Sequence, residues 1–346
     1  MGYDKINFSV IKFSLVLQLM IVLLLAQATI CNAQARHGFY QNPGRFAYPD
    51  QAPIYWQDQA DSGMTTAVVS GSGASHYGPD TGGIGFARMM NMMLKAGLID
   101  PAFPVLALSM GARPCYDAIL QAKQPWPELI VGNVDEPNPT KRAAVESEYK
   151  EAHRMGFRSG TAISGYDLTG PDGLMDVLDL WIVSANTWQS NLEELAEEHE
   201  ADLWSYWTYE TTGAPPRCRY YFGLWTWARR VSCSLVWAYT HVASTMVRPD
   251  GTRVTGEDSH SYAIPTAYGK PLHTPGYEGL IEGIKDCRAL EAAERNGGPQ
   301  CHAWLAELRA SISLQMPKPG RLLSRTDFDS IRKQAEQWSN ETAKDE

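Results

Sequence analysis

The chain has 346 residues, of which 44% are hydrophobic and 20% are charged, and it carries a formal net charge of −9. Its length accommodates one large barrel domain or two ordinary domains. The negative charge argues against a nucleic-acid partner, because binding to phosphates relies on neutralisation by cationic side chains.

Residues 1–35 have the pattern of a secretory signal peptide. Lys5 and Lys12 give a basic start, Phe13–Ala26 is apolar apart from two polar residues, and Ala33–Ala35 satisfies the small-x-small cleavage rule. The apolar run is shorter than a membrane-spanning helix prefers. We therefore expect a secreted or periplasmic protein with no stable membrane span after cleavage; an uncleaved membrane anchor is the alternative.

Eight candidate strands alternate with helical patterns from residue 38 to residue 239. The strands are expected at 38–41, 64–69, 104–108, 129–134, 157–163, 180–183, 203–208 and 234–239. The helices are expected between them, at 54–62, 85–96, 114–123, 141–155, 174–178, 190–200 and 220–230. This alternation of strands and helices predicts an α/β fold, a (β/α)8 TIM-type barrel, with a doubly wound open sheet as the alternative. The first strand has the weakest pattern, so any imperfection of the barrel is expected on that side.

The chain after the eighth strand changes character twice. Residues 242–273 are irregular and polar, and Pro275–Asn296 returns to a helical pattern. We therefore divide the mature chain into a barrel domain, 36–296, and a C-terminal helical extension, 297–346. The last residues, Ser339–Glu346, are expected to form a disordered tail.

The mature chain keeps five cysteines, at widely separated positions. They are Cys115, Cys218, Cys233, Cys287 and Cys301. No Cys-x-x-Cys pair occurs, so the spacing of a zinc site is absent, and we expect neither a metal ion nor another cofactor. One or two disulfides are compatible with these positions, but their connectivity cannot be read from the sequence.

The fourth strand stops at two adjacent carboxylates, Asp135 and Glu136, which are followed by Pro137. Proline cannot continue the hydrogen-bond ladder of a strand, so the acids stand where a buried strand breaks into a loop. In parallel α/β barrels, catalytic groups come from this end of the strands. The alternative is that the acids cap the helix that starts near Thr140.

Aromatic residues accumulate in the later strands of the predicted barrel. Most of the 11 tryptophans lie between Trp181 and Trp237. Flat apolar rings match the C–H faces of pyranose sugars, although a well-filled core also uses tryptophan. We therefore take Trp188, Tyr206, Trp237, Glu210 and His76 as candidate substrate contacts around one mouth; a lone loop histidine more often has a structural role.

Five segments of the chain can be compared with a known family: Val134–Pro137, the strand with Trp204 and Tyr206, Arg219–Trp225, Ser234–Trp237 and Pro275–Asp286. Together they resemble the catalytic barrel of glycoside hydrolase family 123 and its uncharacterised relatives. The resemblance extends over roughly residues 40–295. The resemblance does not include the family's N-terminal β-sandwich, because we expect the barrel to begin directly after the signal peptide.

The resemblance implies a substrate-assisted glycosidase that acts on β-linked N-acetylgalactosaminides within an oligosaccharide or polysaccharide. Glu136 would be the general acid and then the base, while Asp135 would orient and polarise the substrate's own 2-acetamido group. That group would be the nucleophile and would give an oxazoline intermediate. Apolar surroundings rich in tryptophan would raise the pKa of the acid, and the adjacent carboxylate would help one of the pair to hold a proton.

Two alternatives stay open, one for the catalytic mechanism and one for the function. Glu210, after the seventh strand, is outside the family pattern; many retaining glycosidases pair an acid on strand four with a nucleophile on strand seven, about 5–5.5 Å apart. Glu210 is otherwise a surface acid in the loop before Pro215. The second alternative is a non-catalytic carbohydrate-binding protein that keeps the barrel and its aromatic mouth.

Overall fold

The structure is a computed structural model, and a defined part of the chain can be described from it. The described residues are 34–41, 49–71, 77, 83–120, 122, 125–132, 134–170, 173–208, 215–239, 261–264, 266, 269–317 and 322–341. Two predicted site residues, His76 and Glu210, lie outside these ranges.

Eight parallel strands close into a barrel in the order of the chain. They are β1 (Arg36–Gln41), β2 (Thr66–Ser70), β3 (Val105–Leu108), β4 (Leu129–Gly132), β5 (Arg158–Ile163), β6 (Leu180–Ser184), β7 (Asp202–Trp207) and β8 (Cys233–Val236). Gly38 on β1 pairs with Thr66 on β2 and with Leu235 on β8, so the first strand closes the barrel on both sides. The predicted (β/α)8 barrel is confirmed, and the first strand, where any imperfection was expected, is paired along both of its edges.

Helices surround the strands and continue beyond them. They are α1 (Ala52–Asp61), α2 (Ile84–Lys95), α3 (Ala112–Ile119), α4 (Arg142–Arg154), α5 (Gly165–Thr169), α6 (Leu192–Glu198), α7 (Pro215–Tyr220), α8 (Thr226–Arg229), α9 (Pro275–Asn296), α10 (Pro299–Ser311) and α11 (Arg325–Glu341). A π-helical turn, Tyr221–Trp225, joins α7 to α8. A short antiparallel hairpin, β9 (Ala263–Ile264) and β10 (Leu272–His273), precedes α9.

The helix predicted at 174–178 is wrong. The helix between β5 and β6 is α5, whose first turn is capped by Ser164, since its side chain accepts a hydrogen bond from the backbone N–H of Tyr166. Residues 174–178 form turns, and Leu174 and Leu178 are buried. These residues are therefore apolar because they are buried in a short loop, and not because they form one face of a helix.

Alternation along the strands divides the core into two parts. On β7, Trp204 and Tyr206 face the barrel interior, while Trp207 packs among the residues between strands and helices. Trp204 stacks on Phe103, which precedes β3, with ring centroids 5.4 Å apart. These rings close the amino end of the barrel, so Tyr206, two residues further along β7, faces the carboxyl end.

The C-terminal extension is packed onto the barrel helices. Arg219 on α7 forms a bidentate ion pair with Asp286 on α9, at 2.6 and 2.9 Å, and a further bond of 2.7 Å to Asp329 on α11. Phe328 on α11 is buried beneath the Arg219 guanidinium. Helix α11 ends at Glu341, so disorder from residue 339 is wrong for residues 339–341, and residues 342–346 lie outside the described ranges.

The structure also bears on disulfide bonds and on membrane-spanning helices. All five described cysteines are buried and free, so no disulfide joins them. Within the described ranges, no helix combines the length and the apolar character that crossing a bilayer requires.

Candidate functional site

The loop after β4 carries the acid pair across the carboxyl end of the barrel. The Thr161 hydroxyl on β5 donates to the carbonyl oxygen of Val134 at 2.6 Å and holds the start of this loop. The Asn138 side-chain oxygen accepts hydrogen bonds from the backbone N–H and the hydroxyl of Thr140, at 3.1 and 2.6 Å. Asn138 therefore stabilises the turn before α4, and the N-cap residue of α4, Lys141, forms no side-chain cap.

Glu136 has an unusual backbone conformation. Its φ angle is +43°, in the left-handed region that favours glycine. This conformation costs a non-glycine residue about 1–2 kcal/mol, and such strain is concentrated at functional sites. Adjacent side chains on a regular strand point to opposite faces, so the break at Glu136 lets both acids reach the mouth.

The Glu136 carboxylate is held from the opposite wall of the barrel. The Tyr206 hydroxyl donates to Glu136 Oε1 at 2.7 Å, and the Ser184 hydroxyl on β6 also hydrogen-bonds to Tyr206. Burial, and then the charge of Glu136 and the bond to it, raise the pKa of Tyr206 far above its ordinary value. Tyr206 therefore stays neutral and keeps its proton for donation.

Asp135 has a different electrostatic environment from an isolated surface acid. Its side chain is exposed, but the protein around the mouth partly shields its carboxyl group from water. This shielding, followed by the adjacent Glu136 charge, raises the pKa of Asp135, against the opposing effects of the Glu136 backbone N–H and of Lys141. A carboxylate with a raised pKa is a stronger hydrogen-bond acceptor and proton acceptor.

Aromatic rings line the mouth next to the acids. Trp237 follows β8, is partly buried, and begins a cis peptide bond to Ala238. The Tyr40 ring on β1 lies edge-on to Trp237 and to Tyr206, with centroid separations of 5.7 and 6.5 Å. The charges of both acids act on Tyr40. The structure thus brings Asp135, Glu136, Tyr206 and Trp237 together, and adds Tyr40.

Tyr40 was missed because the first strand had the weakest pattern in the sequence. The alternation of side chains along a strand could have identified Tyr40. Because residues two positions apart share one face, an inward-facing Gly38 places residue 40 on the inner face of the barrel as well. A large side chain at the carboxyl end of an inner face points into the mouth of a barrel.

Trp188 lies apart from this group. It is 0% exposed and packs edge-on against Trp225, with ring centroids 5.1 Å apart. Its indole N–H donates to Glu193 at 3.3 Å, and the Gln315 side chain donates to its carbonyl oxygen. Trp188 therefore has no exposed surface with which to contact a sugar.

The described part of the mouth offers carboxylates, neutral hydroxyls and aromatic rings. Among the described residues, no group of three or more His, Cys, Asp or Glu side chains is arranged to hold a metal ion. The acids can exchange protons with a bound molecule, and the hydroxyls can orient it.

No protein-family model matches the chain, and neither does any curated protein. Among solved structures it is similar to a family 123 glycoside hydrolase from Clostridium perfringens, described for glycolipid glycan hydrolysis. The TM-score is 0.55 at 11% identity, over 91% of this chain and 70% of that chain. Gas2p of Saccharomyces cerevisiae, in complex with laminaritriose and laminaritetraose, matches with a TM-score of 0.45 at 11% identity, over 78% and 64% of the two chains. The likeness to the family 123 barrel is confirmed at the level of the fold.

Proposed function

We propose that this protein is a glycoside hydrolase that cleaves a β-linked sugar, with Glu136 as its general acid and then its base. The observation that carries the proposal is the position of Glu136. This residue stands at the carboxyl end of β4 in a left-handed backbone conformation, with one carboxylate oxygen held by Tyr206 at 2.7 Å. Such an acid is strained and oriented at the end of the barrel where catalytic groups are found.

The bond from Tyr206 assigns different roles to the two oxygens of Glu136. Because Oε1 accepts the tyrosine proton, Oε2 carries the acidic proton towards the glycosidic oxygen. Cleavage of the bond between C1 and that oxygen leaves Glu136 as a carboxylate, which the hydrogen bond from Tyr206 stabilises. In the second step the same carboxylate takes a proton from the water that attacks C1.

Asp135 supports a 2-acetamido sugar as the substrate. In this proposal the acetamido oxygen attacks C1 as the leaving group departs, and the amide N–H shares its proton with the Asp135 carboxylate. The raised pKa of Asp135 makes it a better acceptor for that proton. The resulting oxazoline is then opened by water, which restores the acetamido group.

Two observations support the proposed substrate class. Trp237 is partly exposed at the mouth and offers its ring to a sugar, and the Clostridium perfringens protein is described for hydrolysis of glycolipid glycans. Glycans with a β-linked N-acetylhexosamine, free or attached to a lipid, are therefore the substrates to test first.

The activity test uses 4-nitrophenyl β-glycosides of N-acetylgalactosamine, N-acetylglucosamine, galactose and glucose, with the protein lacking residues 1–35. We expect turnover of at least one acetamido glycoside. We also expect a loss of about 10²–10⁴-fold in Glu136→Gln with a matching oligosaccharide, whose leaving group needs protonation. Saturable binding of the sugars without turnover would favour the carbohydrate-binding alternative.

We also propose that the protein is exported, on the strength of the basic start, apolar core and cleavage pattern of residues 1–35. Intact-mass measurement of the exported protein should give a chain that begins near Gln34 or Arg36. A mass that includes Met1 would favour the membrane-anchor alternative.

A further inference from the structure

One buried polar group at the mouth is not used by the proposed reaction. Tyr40 is 5% exposed, and its hydroxyl oxygen is buried with no hydrogen-bond partner among the described residues. Buried hydroxyls are nearly always paired, because leaving one unpaired forfeits the bond it makes to water in the unfolded chain. An unpaired group of this kind therefore calls for a partner that the free protein does not supply.

The surroundings of Tyr40 place that missing partner in the mouth. Its ring packs against Trp237 and Tyr206, and the negative charges of Asp135 and Glu136 help to raise the pKa of its hydroxyl. Tyr206 donates to Glu136 Oε1, whereas the Tyr40 hydroxyl forms no hydrogen bond with either acid. A molecule bound among these side chains is the group placed to reach the Tyr40 hydroxyl.

The chemistry of the mouth indicates what that molecule presents. Tyr40 stays neutral, because burial and the nearby acids raise its pKa well above the ordinary value, so it offers a proton. The adjacent carboxylates only accept protons when ionised. A sugar hydroxyl fits between them, since it can accept from Tyr40 and donate to a carboxylate at the same time.

We infer that the Tyr40 hydroxyl donates a hydrogen bond to one hydroxyl oxygen of the sugar bound in the mouth, and so selects sugars that carry that hydroxyl. This inference rests on the proposed function and adds a specificity-determining residue to it. A site built to bond a hydroxyl discriminates strongly against an analogue that lacks it, because a buried polar group is then left unpaired.

The test compares Tyr40→Phe with a matched control, Tyr221→Phe. The Tyr221 hydroxyl is also buried, but it already bonds within the protein, to Ser205 at 2.9 Å and to the Leu235 carbonyl at 3.1 Å. Removal of the Tyr221 hydroxyl should therefore lower the melting temperature and leave sugar specificity unchanged. Removal of the unpaired Tyr40 hydroxyl should leave the melting temperature equal or higher and weaken sugar recognition.

Specificity is measured as kcat/KM for the best glycoside of the panel and for its 3-deoxy, 4-deoxy and 6-deoxy forms. The wild type should lose activity on one deoxy form, and Tyr40→Phe should lose about two- to tenfold on the parent with no further loss on that form. Unchanged discrimination in Tyr40→Phe, or a lower melting temperature with normal kcat/KM, would overturn the inference and point to an internal partner such as a buried water.

Binding titrations with the four parent sugars of the panel, and with their deoxy forms, separate the proposal of hydrolysis from the proposed role of Tyr40. A wild type that binds a sugar without turnover overturns hydrolysis alone, and the deoxy comparison is then made on affinities. A wild type that neither binds nor cleaves any sugar of the panel overturns both.

Discussion

The Tyr206 hydroxyl and Glu136 Oε1 lie 2.7 Å apart, although the two residues are 70 positions apart in the chain and three strands apart in the barrel. One side chain comes from inside β7 and the other from the loop after β4. The barrel alone brings them together, so the orientation of the acid depends on the closed fold.

The first prediction concerns this bond. Tyr206→Phe should lower kcat/KM by about 10- to 100-fold, because a hydrogen bond to a charged group is lost while the ring stays in place. Because Tyr206 acts through Glu136, its loss should cost little in the Glu136→Gln background, and the double variant should show this non-additivity. Equal losses in both backgrounds would mean that Tyr206 acts independently of Glu136.

The second prediction concerns the backbone of Glu136. With φ at +43°, glycine avoids the steric cost of about 1–2 kcal/mol, although it loses about 0.5–1 kcal/mol more conformational entropy on folding. Glu136→Gly should therefore be more stable than Glu136→Ala by about 0.5–1 kcal/mol in urea unfolding.

The neighbouring acid supplies the control for this strain. Asp135 is not among the residues with positive φ, so Asp135→Gly should be less stable than Asp135→Ala. The same order of stability at both positions would contradict the assignment of strain to Glu136.

The third prediction is a pH dependence of stability due to His37. This side chain on β1 is buried beside Phe222, and neither ring nitrogen has a hydrogen-bond partner among the described residues. Burial, together with the positive charge of Arg288, lowers the pKa of His37 from 6.5 to about 3. The unfolded chain therefore binds more protons than the folded chain between these two pH values.

The free energy of unfolding should fall as the pH is lowered through that range, since the unfolded state gains the protons. By about pH 4.5 the loss from this residue amounts to about 2–3 kcal/mol. His37→Leu, which has similar volume, should lack this part of the pH dependence when urea unfolding is compared at neutral and acid pH. An unchanged slope in the variant would show that His37 is protonated or exposed in the folded state.

The barrel and its acid pair could be predicted because their signals are local. Buried parallel strands read as short apolar runs, and the break after β4 is visible in Pro137 itself. The direction of a side chain beyond a strand end is set by packing instead. Trp188 follows β6 and resembles a mouth residue in the sequence, yet it turns towards Trp225 in the outer core.

Long-range pairing explains what else the sequence did not reveal. Arg219 and Asp286 are 67 positions apart, and no periodicity links them, although their ion pair anchors α9 to α7. The half-exposed Asp329 extends the same network to α11, so the C-terminal extension is bonded to the buried Arg219 on α7. Charges of this kind look like ordinary surface residues until the helices are placed.

The last prediction separates the two catalytic mechanisms. Glu136→Gln should be damaging under either one, since both need the general acid. Asp135→Asn should be almost as damaging only if Asp135 polarises an acetamido group, whereas Glu210→Gln should be severe only if Glu210 is a nucleophile. We expect the first pattern, because Asp135 has a raised pKa and shares the mouth with Glu136 and Tyr206.

The substrate provides the decisive control for that comparison. Successive fluorination of the acetamido methyl group weakens its oxygen as a nucleophile, so kcat/KM should fall steadily in the wild type if that oxygen attacks C1. The same series should have little effect if a protein carboxylate attacks instead, because the acetamido group then only positions the sugar. Normal turnover in Asp135→Asn together with a flat fluorination series would contradict substrate assistance. Since the acid of β4 would then still need a partner, Glu136 and Glu210 would become the catalytic pair, with retention through a covalent glycosyl-enzyme as the consequence.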